Sequence, residues 1–113
     1  MAESYKVLGQ AAPSLDTLTD LYTVPALTSA VAAMLSVAQI GDANDPAATY
    51  RLSVAIAGAS DDPQQIILNE IQLAANVAQL IKLGLTLGPL DVVRVRCRDA
   101  ACAFSLFGTE ITA

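Results

Sequence analysis

The sequence predicts an all-β chain, a single-domain β-sandwich or jelly-roll-like fold of seven to eight short antiparallel strands. Three observations predict it. Turn-forming residues cut the chain at short intervals, several intervening segments alternate apolar and polar side chains, and 113 residues suit one domain, residues 1–113. The turn signals are Ala12-Pro13-Ser14, Pro25, Gly41 to Pro46, Gly58 to Pro63, Ala75-Asn76, Gly88-Pro89 and Arg98-Asp99-Ala100. The pieces between them have the length of strands.

Taken in order, Tyr22 and Val24 read as a strand ended by Pro25, which cannot donate to a ladder. Ala26 to Ile40 is alanine-rich, with Leu27, Val31, Met34, Leu35 and Ala38 near helical spacing. Tyr50, Leu52, Val54 and Ile56 share one parity against Arg51, Ser53, Ala55 and Ala57. Gln64 to Leu83 can place Ile67, Ile71, Ala74, Ala78 and Ile81 on one helical face, but Asn69 and Asn76 weaken a helix. Strand is the favoured reading of 26–40 and 64–83, with helix left open for both. Val77, Gln79, Ile81, Leu83, Leu85 and Leu87 form an odd-numbered set, imperfect at Gln79. Val93, Val95 and Cys97 oppose Arg94, Arg96 and Arg98; Cys102, Phe104 and Leu106 oppose Ala103, Ser105 and Phe107. A period of two marks a half-buried strand.

Composition narrows the function. The chain is 54% hydrophobic and 15% charged, with mean hydropathy +0.51, rather apolar for so small a domain. A domain this size leaves much apolar surface outside unless a partner covers it. With no histidine, a Ser-His-Asp or Cys-His arrangement is impossible, and two cysteines make a zinc site improbable. The glycines are scattered singly, without a phosphate-binding loop. A net charge of −5 and a pI near 4.3 argue against nucleic acid as partner. The start, Met1-Ala2-Glu3-Ser4-Tyr5-Lys6, lacks the pattern of a signal peptide, and the densest apolar stretch, Ala30 to Ala38, is far too short to span a bilayer. The expectation is a soluble, non-enzymatic protein made in the cytoplasm, with no catalytic, cofactor-binding or metal residue.

Three constellations carry what chemistry there is. Cys97 and Cys102 flank a four-residue turn, and a hairpin closed there would set them opposite each other. Two buried thiols are the favoured reading, and a disulfide formed outside the cell the alternative. Arg94, Arg96 and Arg98 form a basic stripe, either a solvated face or a contact for an acidic patch on a partner. Asp42-x-Asn44-Asp45 and Asp61-Asp62 carry acids in loops, but the first lacks the glycine and distal glutamate of a calcium loop. Asx residues in turns mostly bond their own backbone.

Several runs in order along nearly the whole chain carry a resemblance. They are Tyr5-Lys6-Val7-Leu8-Gly9-Gln10 followed by Pro13, Leu18 to Pro25, Leu85-Thr86-Leu87, Asp91-Val92-Val93-Arg94-Val95, and Phe104 to Ile111. Together they resemble a family of small tailed-bacteriophage virion structural proteins. The resemblance implies a compact β domain on a phage particle and names no catalytic or cofactor residue. Ala30 to Ala38 departs from it in having alanine and methionine where β-branched residues are expected, and the cysteine pair lies outside the pattern.

The expected function is a capsid decoration (cement) protein on the particle exterior, homo-oligomeric and trimeric as a guess, with phage capsid or tail proteins as partners. The alternatives are a tail, baseplate or fibre-attachment component and a carbohydrate-binding module, with a small enzyme last. Phe107 and the Ala26 to Ile40 segment are assigned to subunit contacts.

Overall fold

The computed structural model describes residues 2–41, 44–75 and 77–112. Eight strands run in the order β1 (Ala2–Ala11), β2 (Thr19–Thr23), β3 (Thr28–Gln39), β4 (Ala48–Ala55), β5 (Ile66–Leu73), β6 (Ala78–Leu87), β7 (Val92–Arg98) and β8 (Cys102–Thr112). They form two four-stranded antiparallel sheets, ordered β1-β8-β3-β6 and β2-β7-β4-β5, here called the first and second sheet. β1 pairs β8, β2 pairs β7, β3 pairs β6 and β4 pairs β5, so the chain resembles one long hairpin rolled into a jelly roll. The tip of that hairpin is the 56–65 segment, which holds two short 3-10 turns, Ile56–Gly58 and Pro63–Gln65.

Both ambiguous segments are extended. Residues 26–40 supply β3, and 64–83 supply β5 and most of β6, divided by a turn near Ala75. Bulges explain why their periodicity misleads. β3 buries Thr28, Ala30 and Ala32, then Leu35, Val37 and Gln39, because an irregularity between Ala32 and Met34 inserts one residue. In β5, Asn69 and Glu70 together oppose Arg51, with Glu70 at φ 51, which shifts the inward set from Ile66 and Leu68 to Ile71 and Leu73. A step of three inserted among steps of two imitates helical spacing.

The core lies between the sheets. Tyr50 and Phe104 meet edge to face with ring centroids 6.0 Å apart, among Leu35, Leu52, Val93, Val95 and Leu106. Gln79, the odd member of the β6 set, accepts the Tyr50 hydroxyl hydrogen bond at 2.6 Å. Its place on the inward face therefore satisfies a buried donor.

Two expectations are corrected. Cys97 and Cys102 do not flank a hairpin, because β7 lies in the second sheet and β8 in the first. Residues 99–101 form a corner between layers, with Asp99 at φ 72. Cys97 pairs with Tyr50 and Cys102 with Gln39. In β4 the predicted parity holds through Val54, which packs against the core, and fails at Ile56, 76% exposed; Ser53 and Ala55 are buried on the outer side. The 56–65 segment folds back over the outer side of the second sheet, since Arg94, cross-strand from Ser53, donates to the Ala59 carbonyl at 2.8 Å.

Candidate functional site

The outer faces of the two sheets differ in kind. On the second sheet, alternation turns Arg94, Arg96 and Arg98 outward, opposite inward Val93, Val95 and Cys97. Each arginine is engaged within the chain. Arg94 Nε donates to Asp20 Oδ1 at 3.1 Å, and Arg96 Nη2 to Glu70 Oε1 at 2.8 Å. Arg98 reaches the other oxygen of Glu70, and Arg51 lies 3.7 Å from Asp61 Oδ2. The Glu70 bulge is what aims one carboxylate at two arginines. A stripe so paired presents little net charge to a partner, and surface pairs of this kind add little stability.

The outer face of the first sheet carries almost no charge. β8 contributes Ala103, Ser105, Phe107, Thr109 and Ile111, all half-buried. β3 adds Val31 and Met34, and β1 adds Tyr5 and Val7, whose cross-strand partners are Thr109 and Phe107. β6 adds Leu80, 68% exposed, and Thr86. Among the described outward residues of this face, the charges are Glu3 on β1 and Lys82 on β6. Phe107, assigned from sequence to a contact, sits near the middle of the face.

A polar cluster closes the inner side of the same sheet near one end. Glu110 accepts a hydrogen bond from the Tyr22 hydroxyl at 2.5 Å, and its other oxygen lies 2.5 Å from Lys6 Nζ. These bonds, led by that from Lys6, hold the Glu110 carboxyl below its ordinary 4.5, while burial and then the Glu110 bond push the Tyr22 phenol upward. The sign follows. The Glu110 contribution to stability is fully present above pH 4.5 and is lost as pH falls through the lower folded value. The Tyr22 contribution is present below pH 10 and is lost as pH rises through its raised value. Glu110→Gln is expected to flatten the acid limb of a melting-temperature profile and to cost about 1 kcal/mol at neutral pH. An acid limb unchanged in the variant would refute this assignment. The sequence reading missed the cluster, although Lys6, Tyr22 and Glu110 all lie in runs that carry the phage resemblance.

The thiols of Cys97 and Cys102 are free and fully buried in the core. Burial, and then the neighbouring Cys97, push the Cys102 thiol up to about 12, against thiolate formation. Asp62 caps the second 3-10 turn by accepting from the Gln64 amide at 3.3 Å, the local bonding expected of an Asx turn. Asp42 and Asn76 lie outside the described residues.

Open clefts among the described residues indent the domain. One of about 400 Å³ is lined by Gln10, Ala11, Ala12, Ala103, Phe104 and Ser105, and one of about 360 Å³ by Val54, Ile56, Ala59, Gln64 and Gln65. Neither lining includes a charged side chain. The aromatics are dispersed: Tyr50 and Phe104 lie in the core, Tyr22 faces inward, and Tyr5 is 79% exposed on the outer face near half-buried Phe107.

No protein-family model matches the chain, and no curated protein matches its sequence. Among solved structures it is similar to a chain of infectious bursal disease virus, Gx strain, with TM-score 0.57 and 10% identity over 96% of its length. It is also similar to a chain of the Gt strain of that virus, with TM-score 0.51 and 8% identity over 96%. It spans 32% of each viral chain, about a third. At such identities the likeness is one of fold.

Proposed function

We propose that the chain is a non-enzymatic structural protein of a virion, and specifically a bacteriophage capsid decoration protein on the particle exterior. The observation that carries this reading is the outer face of the first sheet, apolar and nearly uncharged on a domain whose other face neutralises itself. Large exposed apolar patches mark interaction sites. The fold supports the reading, because jelly rolls serve as viral capsid and lectin domains, and the fold likeness is to chains of a virus. The ordered runs resembling phage virion proteins support the narrower assignment.

In this reading the protein is made in the host cytoplasm, oligomerises and docks on neighbouring virion proteins through many shallow contacts. Quantitative mass spectrometry of purified particles is expected to find hundreds of copies per virion. Six or twelve copies would move the protein to the tail or baseplate, and absence from particles would overturn the virion role.

A further inference from the structure

We infer that Cys97 and Cys102 join in an intramolecular disulfide when the folded chain meets a small-molecule disulfide, and that this bond staples the two sheets where the chain passes between them. Such a modification site is independent of any role in a virion.

The fold sets the two side chains against each other. Cys97 lies near the end of β7, an interior strand of the second sheet, and Cys102 opens β8, an interior strand of the first. Both face the gap between the layers and are 0% exposed. Facing sheets stack about 10 Å apart, so inward side chains at the same end of a sandwich meet midway. The backbone beside the 99–101 corner is pinned, since the Asp16 amide donates to the Cys97 carbonyl at 2.7 Å and the Ile40 amide to the Ala101 carbonyl at 2.9 Å. The Cys102 thiol turns back toward this corner and donates to the Ala100 carbonyl at 4.0 Å. It neighbours both the Cys97 thiol and the phenol of Tyr50, the cross-strand partner of Cys97. Rotation about two Cα–Cβ bonds is then the movement that closes a sulfur–sulfur bond.

Burial also fixes the pairing. The chain has two cysteines, so no other internal pairing exists. Neither sulfur reaches the surface, so neither meets a thiol of another copy while the chain is folded.

The exchange balances. One cysteine, as its thiolate, attacks a sulfur of the small disulfide and displaces one small thiolate. The other cysteine, deprotonated in turn, attacks the protein-bound sulfur and displaces the second. The protein loses two hydrogens and two electrons. The small disulfide is reduced, and its thiolates take up the two protons. Because burial keeps the Cys102 thiol protonated, exchange waits on local opening of the corner and is slow. A reducing cytoplasm holds the pair as thiols, and an oxidising medium holds it as the disulfide.

The reduced full chain is incubated for several days with hydroxyethyl disulfide, then quenched with N-ethylmaleimide in denaturant. Intact mass is expected to fall by two hydrogens with no maleimide attached, whereas the untreated chain takes up two maleimides. A non-reducing gel is expected to show single chains. The melting temperature is expected to rise by about 8 °C, the modest gain of a short closed loop, and to return on adding dithiothreitol. Cys97→Ala and Cys102→Ala chains are expected to show no such rise with oxidant. Should either variant fail to fold, the oxidised and reduced parent chains still decide the matter. Thiols that stay free, a small-thiol adduct that persists on one cysteine, a disulfide-linked dimer, or an oxidised chain that melts no higher than the reduced one would each overturn the staple.

Discussion

Phe104→Ala is expected to lower folding stability by about 4 kcal/mol, read from equilibrium chemical denaturation followed by circular dichroism. The ring is 1% exposed and sits near the start of β8, an interior strand of the first sheet. Its cross-strand neighbours are Ala11 and Val37, and across the core it meets the edge of Tyr50. Alanine removes the burial of the ring and leaves a cavity between layers held apart by two backbones, so the site collapses little. Domains of this size are stable by about 5–15 kcal/mol, so the variant approaches the unfolding threshold. Phe107→Ala, three residues on and outward, is expected to cost only about 1 kcal/mol in the monomer. Equal losses in the two variants would mean that the parity of β8 is misassigned.

Gly108→Ala is expected to cost about 3 kcal/mol. A Cβ at this position would lie 2.0 Å from the Val31 carbonyl oxygen, 3.0 Å from Leu8 Cδ1 and 3.1 Å from Ala32 Cα. Two of those three neighbours belong to the backbone of β3, which is held on its other side by β6. Relief therefore requires a strand to move. The position lies level with the bulges of β1 and β3, where Val7–Gly9 and Ala32–Met34 shift register. The second glycine of the phage-like runs has a similar role: a Cβ on Gly9 would lie 2.1 Å from the Leu21 carbonyl oxygen, where β1 approaches β2. A Gly108→Ala variant as stable as the parent would show that the sheet yields at this level. Both glycines thus have structural reasons to stand in the runs that carry the resemblance.

The strands were legible where alternation is unbroken. Val93, Val95 and Cys97, and then Cys102, Phe104 and Leu106, face inward as their parity predicts. Legibility failed at two kinds of place. Bulges at Ala33 and Glu70 leave no local residue signature, because neither position is a glycine and the shift depends on what the neighbouring strand does. The layer to which a strand belongs is also invisible in its pattern. A four-residue turn suits a hairpin and an inter-sheet corner alike, so the spacing of Cys97 and Cys102 does not reveal that the chain changes sheets between them. The basic stripe is plain in the sequence, but its carboxylates at Asp20 and Glu70 lie far away along the chain. The apolar face was present only as a surplus in the composition. Assigning it to one sheet required knowing which outward residues of β1, β3, β6 and β8 lie side by side.

The nested pairing of the strands also sets an order of events. β4 and β5 are neighbours in sequence and can close across the 56–65 segment as soon as both exist. β3 must await β6, β2 must await β7, and β1 has no ladder partner until β8 arrives. At about 5–20 residues per second, β1 waits roughly 5–20 s on a translating ribosome with its hydrogen-bonding edge open. Because β8 lies between β1 and β3, the final strand of the eight is a keystone of its sheet. A nascent chain lacking it holds a half-built layer, and shielding during synthesis matters most for this last interval.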